Sequence, residues 1–166
     1  MKLMVVSLTV VFLTALPCQA VIVTAFTDTD TFVQRAQDIV IAKCLGPVPD
    51  GWRYIDGLYP VDVQVVYVLK GARQPGKAKI ATIYAMAAGK TYLLTSLGGS
   101  VHGTDFLAIP ELSVVELPRS FGLDDLKGKK VREQVQAVFG ARRQEIESQQ
   151  RLLEEQKKLL DKAVAK

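Results

Sequence analysis

The chain has 166 residues, 49% of them hydrophobic, and a formal charge of +4. That length suits one domain with a tail, and a single histidine with two cysteines leaves too few ligands for a His/Cys zinc site. The charge is unevenly divided: residues 21–126 carry 9 basic and 11 acidic groups, net −2, whereas residues 127–166 carry 11 and 6, net +5. A nucleic-acid reader concentrates basic charge on its folded face, so this distribution argues against nucleic acid as a partner.

Residues 1–20 read as an export signal. Lys2 supplies the positive start, Leu3–Leu16 is apolar except for Ser7, Thr9 and Thr14, and Pro17 precedes a small-residue cleavage site. Cleavage after Ala20 fits the pattern, and so does cleavage after Ala25. Either one predicts a secreted or periplasmic protein. Left uncut, Leu3–Phe26 would be 24 residues, enough to span a bilayer core of about 30 Å. Membrane anchorage is expected only in that case. Cys18 follows Pro17 rather than the Gly, Ala or Ser of a lipid-anchor signal, and is read as part of the discarded segment. Cys44 is then the only cysteine of the mature chain, expected to be buried on a strand.

The domain that follows is expected over residues 26–118. Thr31 with Gln34 forms a capping-box pattern, predicting a short helix from Phe32 to about Gln37. The pattern then turns extended. DIVIAKC at 38–44 reads as the first strand and VDVQVVYVL at 61–69 as the second, with Val61, Val63, Val65, Tyr67 and Leu69 on one face. GARQPGK is a turn, KIATIYA at 79–85 a third strand and TYLLTSL at 91–97 a fourth. DFLAI at 105–109 and SVVEL at 113–117 form a bent fifth strand or a strand pair, because Pro110 cannot donate to a central ladder. Short strands at this spacing predict a mainly β fold, a five-stranded antiparallel OB-like barrel with a short N-terminal and a long C-terminal helix.

Residues 119–130 read as a linker and 131–166 as an amphipathic helical tail of roughly 50 Å. Phe139, Ile146, Leu153 and Leu160 recur every seven residues, but the complementary seam positions Arg142, Gln149 and Gln156 are polar. The pattern predicts a helix lying partly on the barrel and then running into solvent, with homo-oligomerisation through this helix as a secondary expectation.

Chemistry is sparse. Ser100, His102 and Asp105 lie within one glycine-rich loop, whereas catalytic triads draw their members from separate segments. No G-x-S-x-G elbow is present. No catalytic residue, metal ligand or cofactor is expected; the loop is instead a candidate partner-binding element. The stretch Leu45–Pro60 is longer than ordinary connections and gathers Trp52, Arg53, Tyr54 and Tyr59. Such rings anchor interfaces and stack on sugars, so these residues are the other candidate partner-binding group, for a protein or a glycan.

The segments RAQDIVIAKC, YPVDVQVVYVLKG, GKTYLLTSLGG and DFLAIPELSVV give residues 32–117 a resemblance to bacterial exported proteins. Those proteins share an OB-like domain with netrin C-terminal modules and tissue inhibitors of metalloproteinases. The resemblance implies that fold and a non-enzymatic role. Inhibition in that family uses a disulfide-tethered N-terminal cysteine that presents its amine and carbonyl to the protease zinc. Here that would require cleavage behind Pro17, and the Cys18–Cys44 bridge depends on the same cut. A metalloproteinase-inhibitor-like protein and an envelope-anchored structural protein therefore stand as alternatives to the binding module.

Overall fold

The computed structural model describes residues 29–47, 57–100, 103–108 and 113–164. In chain order these form α1 (Thr29–Arg35), β1 (Asp38–Pro47), β2 (Tyr59–Lys70), β3 (Gly76–Thr82), β4 (Thr91–Ser96), β5 (Phe106–Ala108) and β6 (Val114–Glu116). A 3₁₀ turn (Leu123–Leu126) and α2 (Val131–Val164) follow. The strands form one sheet in the order β5-β3-β2-β1-β4-β6. Strands β1 to β3 run as an antiparallel meander and β4 returns beside β1, which is the Greek-key arrangement.

The expected five-stranded antiparallel closed barrel is not what forms. The sheet is a curled half-barrel of six mixed strands, because the last extended stretch is split between its two edges. β5 pairs in parallel with β3, and β6 pairs antiparallel with β4. β5 and β6 therefore run in the same direction on opposite edges. Six Cα steps from Ala108 to Val114 reach no more than about 22 Å, so the curl must bring those edges near each other. Pro110, expected to interrupt this stretch, lies outside the described residues.

Each face of the sheet carries an apolar cluster. Inside the curl, Val40, Ala42, Cys44, Val61, Val63, Val65, Ile80, Tyr92, Leu94, Phe106 and Ala108 form one apolar cluster. On the other face Ile39, Ile41, Leu69, Leu93 and Val115 pack against Ala36, Leu126, Val135 and Val138 from the helical segments. Alternation along DIVIAKC thus sends successive apolar residues into two different cores. The linker expectation needs the same adjustment, since Leu126 at its 3₁₀ turn is fully buried.

The single apolar face expected along β2 divides at a bulge. Ala42 is opposite Val65 but Ile41 is opposite Tyr67, which leaves Val66 as an extra residue. The side-chain parity reverses there. Val61, Val63 and Val65 point into the curl, whereas Tyr67 and Leu69 join the helix-covered face. β3 starts at Gly76 and stops at Thr82, earlier than expected, because the long β2 extends the pairing register. Thr82 then turns the chain by accepting the Tyr84 N–H on its hydroxyl at 3.1 Å.

α1 begins at Thr29, so Thr31 lies inside the helix rather than capping it, and the helix ends before Gln37. Its C-terminal carbonyls are held from a distance: Lys70 Nζ donates to Val33 O at 2.8 Å and Ala36 O at 2.6 Å. A cation is favoured there by both the unpaired carbonyls and the helix dipole. α1 also packs on α2 through Phe32 and Phe139, whose rings meet edge-on at 5.5 Å, and through Asp30 and Arg132 at 2.7 Å.

α2 has two unlike halves. Gln134, Val135 and Val138 are buried, with Gln134 Nε2 donating to Leu126 O at 2.9 Å and to the Tyr67 hydroxyl at 3.2 Å. Beyond Ile146 the helix is exposed throughout, as the sequence pattern anticipated.

Two glycines offer a sharp test of this packing. Gly71 has φ +105°, and a Cβ there would overlap the Asp38 carboxylate, whereas Gly140 sits in α2 with open space around it. Gly71→Ala is expected to destabilise the protein by at least about 1–2 kcal/mol from the backbone conformation alone. Gly140→Ala should stabilise it by up to about 1 kcal/mol. Urea unfolding of the two variants measures both signs.

Candidate functional site

The connections that carry the predicted binding residues leave from opposite ends of β1: the first from Pro47, paired with Val61, and the second from the end of β4, where Ser96 is paired with Asp38. Leu45 and Pro47, at the end of β1, lead into the first connection. Asp105 closes the second, just before β5. Between them lies a groove of about 420 Å³ across β1, β2 and β3, lined by Leu45, Pro47, Asp62, Lys77, Lys79 and Asp105 with Val63 and Ala78. Asp62 stands opposite Lys79 in the β2–β3 register, and Gln64 opposite Lys77. The groove therefore combines aliphatic surface with charges of both signs.

Of the predicted residues, Tyr59 opens β2 and is 44% exposed. Ser100 is exposed in the β4–β5 connection. Trp52, Arg53, Tyr54 and His102 lie outside the described residues. Asp105 lines the groove, but its carboxylate already has structural work. Oδ2 accepts the Lys79 N–H at 2.6 Å, and the Asp105 N–H donates to Lys79 O at 2.6 Å. These two bonds tie the start of β5 to β3.

Arg73 reinforces that tie from the β2–β3 turn. Its Nη2 donates to the Asp105 carbonyl, and Nη1 is 4.0 Å from Asp105 Oδ1. Nε is 3.4 Å from Oδ2 of the buried Asp38, an ionic contact without hydrogen-bond geometry. The guanidinium carbon lies 4.7 Å from the centroid of the Phe106 ring, within cation–π range. One side chain thus joins the start of β1, the β2–β3 turn and the start of β5, and it fixes the rim of the groove.

Sequence reasoning named the loops and missed the groove floor. Asp62 was visible as the polar alternate of β2, and Lys77 and Lys79 share one face of β3 by period-2 spacing. What linear sequence could not supply was the crossover that sets β5, in parallel, beside β3. No group of three or more His, Cys, Asp or Glu residues able to hold a metal ion occurs among the described residues. Nor is any described helix long and apolar enough to cross a membrane.

A second and larger cavity, about 630 Å³, lies between α2 and the β4–β6 edge, lined in part by Tyr84, Tyr92, Val114, Phe139, Arg142 and Ile146. None of Tyr59, Ser100 and Asp105 lines it, and it follows the seam where the helix leaves the sheet. Arg142 is engaged by Glu145 within α2. The smaller groove, bordered by Leu45 and Pro47 where the first connection begins and by Asp105 where the second ends, is therefore the candidate site.

No protein-family model matches the chain, and no curated protein sequence matches it. The functional reading therefore rests on the geometry.

Two groups of the inner apolar cluster, Cys44 and Tyr92, have raised pKa values. Cys44 is 1% exposed, as expected for its strand, with Sγ 3.9 Å from Met86 O. Burial raises its thiol above the ordinary value of 9.0, opposed in part by a backbone hydrogen bond at Gly46. Burial likewise raises the Tyr92 phenol above 10.0, opposed by the hydrogen bond from the Ala87 N–H. Both shifts favour the neutral form in the folded state, so their stabilising effect is complete below the unfolded-chain values. It is lost as pH rises from those values through the folded ones. Urea unfolding should therefore show stability declining above about pH 9, and Cys44→Ala should flatten the first part of that decline. An identical decline in the variant would refute the role given to the thiol.

Proposed function

We propose that the chain is an exported, non-enzymatic binding module of OB-like architecture. Its β1–β3 groove, with the connections at 45–60 and 98–105, receives a protein or glycan partner. The observation that carries this reading is the groove itself, bordered by Leu45 and Pro47, where the 45–60 connection begins, and by Asp105, where the 98–105 connection ends. Partly open Greek-key barrels of the OB type bind oligomeric ligands on the face of strands 2 and 3, between the 1–2 and 4–5 loops. The groove supports that comparison by running across the first three strands of the sheet.

The residue types suit such a role. Trp52, Tyr54 and Tyr59 would add flat amphipathic surface beside the mixed charges of Asp62, Lys77 and Lys79. The structural engagement of the Asp105 carboxylate argues against recruiting it to a catalytic set with Ser100 and His102. The burial of Cys44 inside the curl argues against the inhibitor-like alternative, which needs that sulfur bridged to an amino-terminal Cys18. The export signal and the net negative body turn the reading away from nucleic acid.

Trp52 is the only tryptophan, so intrinsic fluorescence reports directly on the proposed loop. Titration of the exported protein with envelope glycans, and pull-down from an extracytoplasmic extract, should each be run beside a Trp52→Ala, Tyr54→Ala double variant. The reading expects a partner in one of the two assays and at least a tenfold loss of its capture by the folded variant. Undiminished capture by the variant would refute it.

A further inference from the structure

The sheet ends at β6, and the backbone there is half paired. The Leu117 N–H donates to Thr91 O and the Thr95 N–H to Ser113 O, both at 2.8 Å, in the register that sets Val115 opposite Leu93. In an antiparallel ladder, alternate residues turn their N–H and C=O groups to the same neighbour. Ser113, Val115 and Leu117 therefore face β4, whereas Val114 and Glu116 direct theirs away from it. No strand pairs with β6 on that side among the described residues. An open edge of this kind is a template for one more strand.

The larger cavity, about 630 Å³, runs along this edge. Val114, Val115 and Glu116 all line it. Successive strand side chains point to opposite faces, so a space that touches all three reaches β6 edge-on. The opposite wall is α2, through Phe139, Arg142 and Ile146. Glu116 is held by Lys90 at 2.7 Å, and Arg142 by Glu145. The other charged residues of the lining, Arg143 and Glu147, are of opposite sign and one helical turn apart. The lining thus has no net charge to attract an ion. What it leaves unmet is apolar surface, with Ile146 40% exposed, and the outward backbone groups of two residues. An uncharged extended segment satisfies both.

We propose that Val21–Phe26, the first residues of the chain once the export signal is cut after Ala20, lie in this cavity as an added strand paired to β6. The segment is Val-Ile-Val-Thr-Ala-Phe, uncharged and rich in the β-branched residues that favour strands. Only Thr27 and Asp28 separate it from α1. That helix already touches the cavity wall, because its Phe32 ring meets the Phe139 ring at 5.5 Å. Residues 21–28 reach about 26–29 Å when extended. Six residues of strand cover about 20 Å, more than the stretch from Ser113 to Leu117. The pairing also removes two liabilities together, an open sheet edge and a β-prone apolar terminus, each of which invites aggregation. The added strand rests on the export reading for its free start at Val21, but not on the groove across β1–β3.

Intact mass and amide hydrogen exchange of the exported protein test the added strand together. The mass should place the mature start at Val21. Amides on a bare edge exchange readily, so slow exchange at Val114 and Glu116 reads the added strand directly. Val115 and Leu117, bonded to β4, are the internal controls, and in the wild-type protein all four should be protected. Ile22→Pro, Thr24→Pro removes two ladder donors. It should speed exchange of Val114 and Glu116 by at least about tenfold and leave Val115 and Leu117 unchanged. Ile22→Asp, Val23→Asp should do the same by placing charge in the cavity. A mature start at Phe26 or at Met1 would overturn the proposal. Unprotected Val114 and Glu116 in a chain that starts at Val21 would overturn it while leaving the export reading intact. Protection that survives both variants would overturn it as well, and where that protection rises with protein concentration the occupant is a second copy of the chain.

Discussion

The structure depends on β1 being buried on both faces. In most small antiparallel sheets one face meets water, and strands alternate apolar with polar. Here Ile39 and Ile41 point to the helices while Val40, Ala42 and Cys44 point into the curl, and each of these five is at most 1% exposed. β1 also pairs on both edges, with β2 and with β4. The inside of the half-barrel and the helical layer therefore cannot be organised independently. The bulge at Val66 follows from this arrangement: it lets one long strand serve the inner cluster first and the helix-covered face afterwards.

The groove is built on the far side of that constraint. Because β1 is held from both faces and pairs with β2, which pairs in turn with β3, these strands form a fixed floor for the groove. Arg73 and Asp105 close the assembly where the sheet curls, using one guanidinium and one carboxylate to join three chain segments. A rigid scaffold carrying variable connections is the usual arrangement of a recognition surface. The charge division of the chain fits the same plan, with a slightly acidic body and a basic helix that extends away from it.

Much of this was legible in the sequence, for identifiable reasons. Strong local patterns such as TYLLTS and the long helix were read close to their observed limits. So was the passage of α2 from docked to exposed, because its leucines are interleaved with paired charges. The errors share a cause: each concerns a residue whose role is set by a distant partner. The helix was expected to run to about Gln37, yet it stops at Arg35, where Lys70 reaches from β2 to hold its last carbonyls. Tyr67 and Leu69 match one strand face, yet pairing with β1 inserts Val66 and reverses them. Asp105 looks like a free loop carboxylate, yet it pins β5 to β3. The last extended stretch has too few residues to show by periodicity that it divides between two sheet edges.

The central claim is that one strand couples two cores into a single cooperative unit, and native-state hydrogen exchange in increasing urea tests it most directly. The account predicts that the amides of Val40 to Lys43 exchange only by global opening, and that the docked turns of α2 around Val135 and Val138 share the same denaturant dependence. Exchange of those helical amides in a separate, lower-energy opening while β1 stays protected would contradict it, because the helical layer would then be an appendage and the half-barrel a complete fold without it.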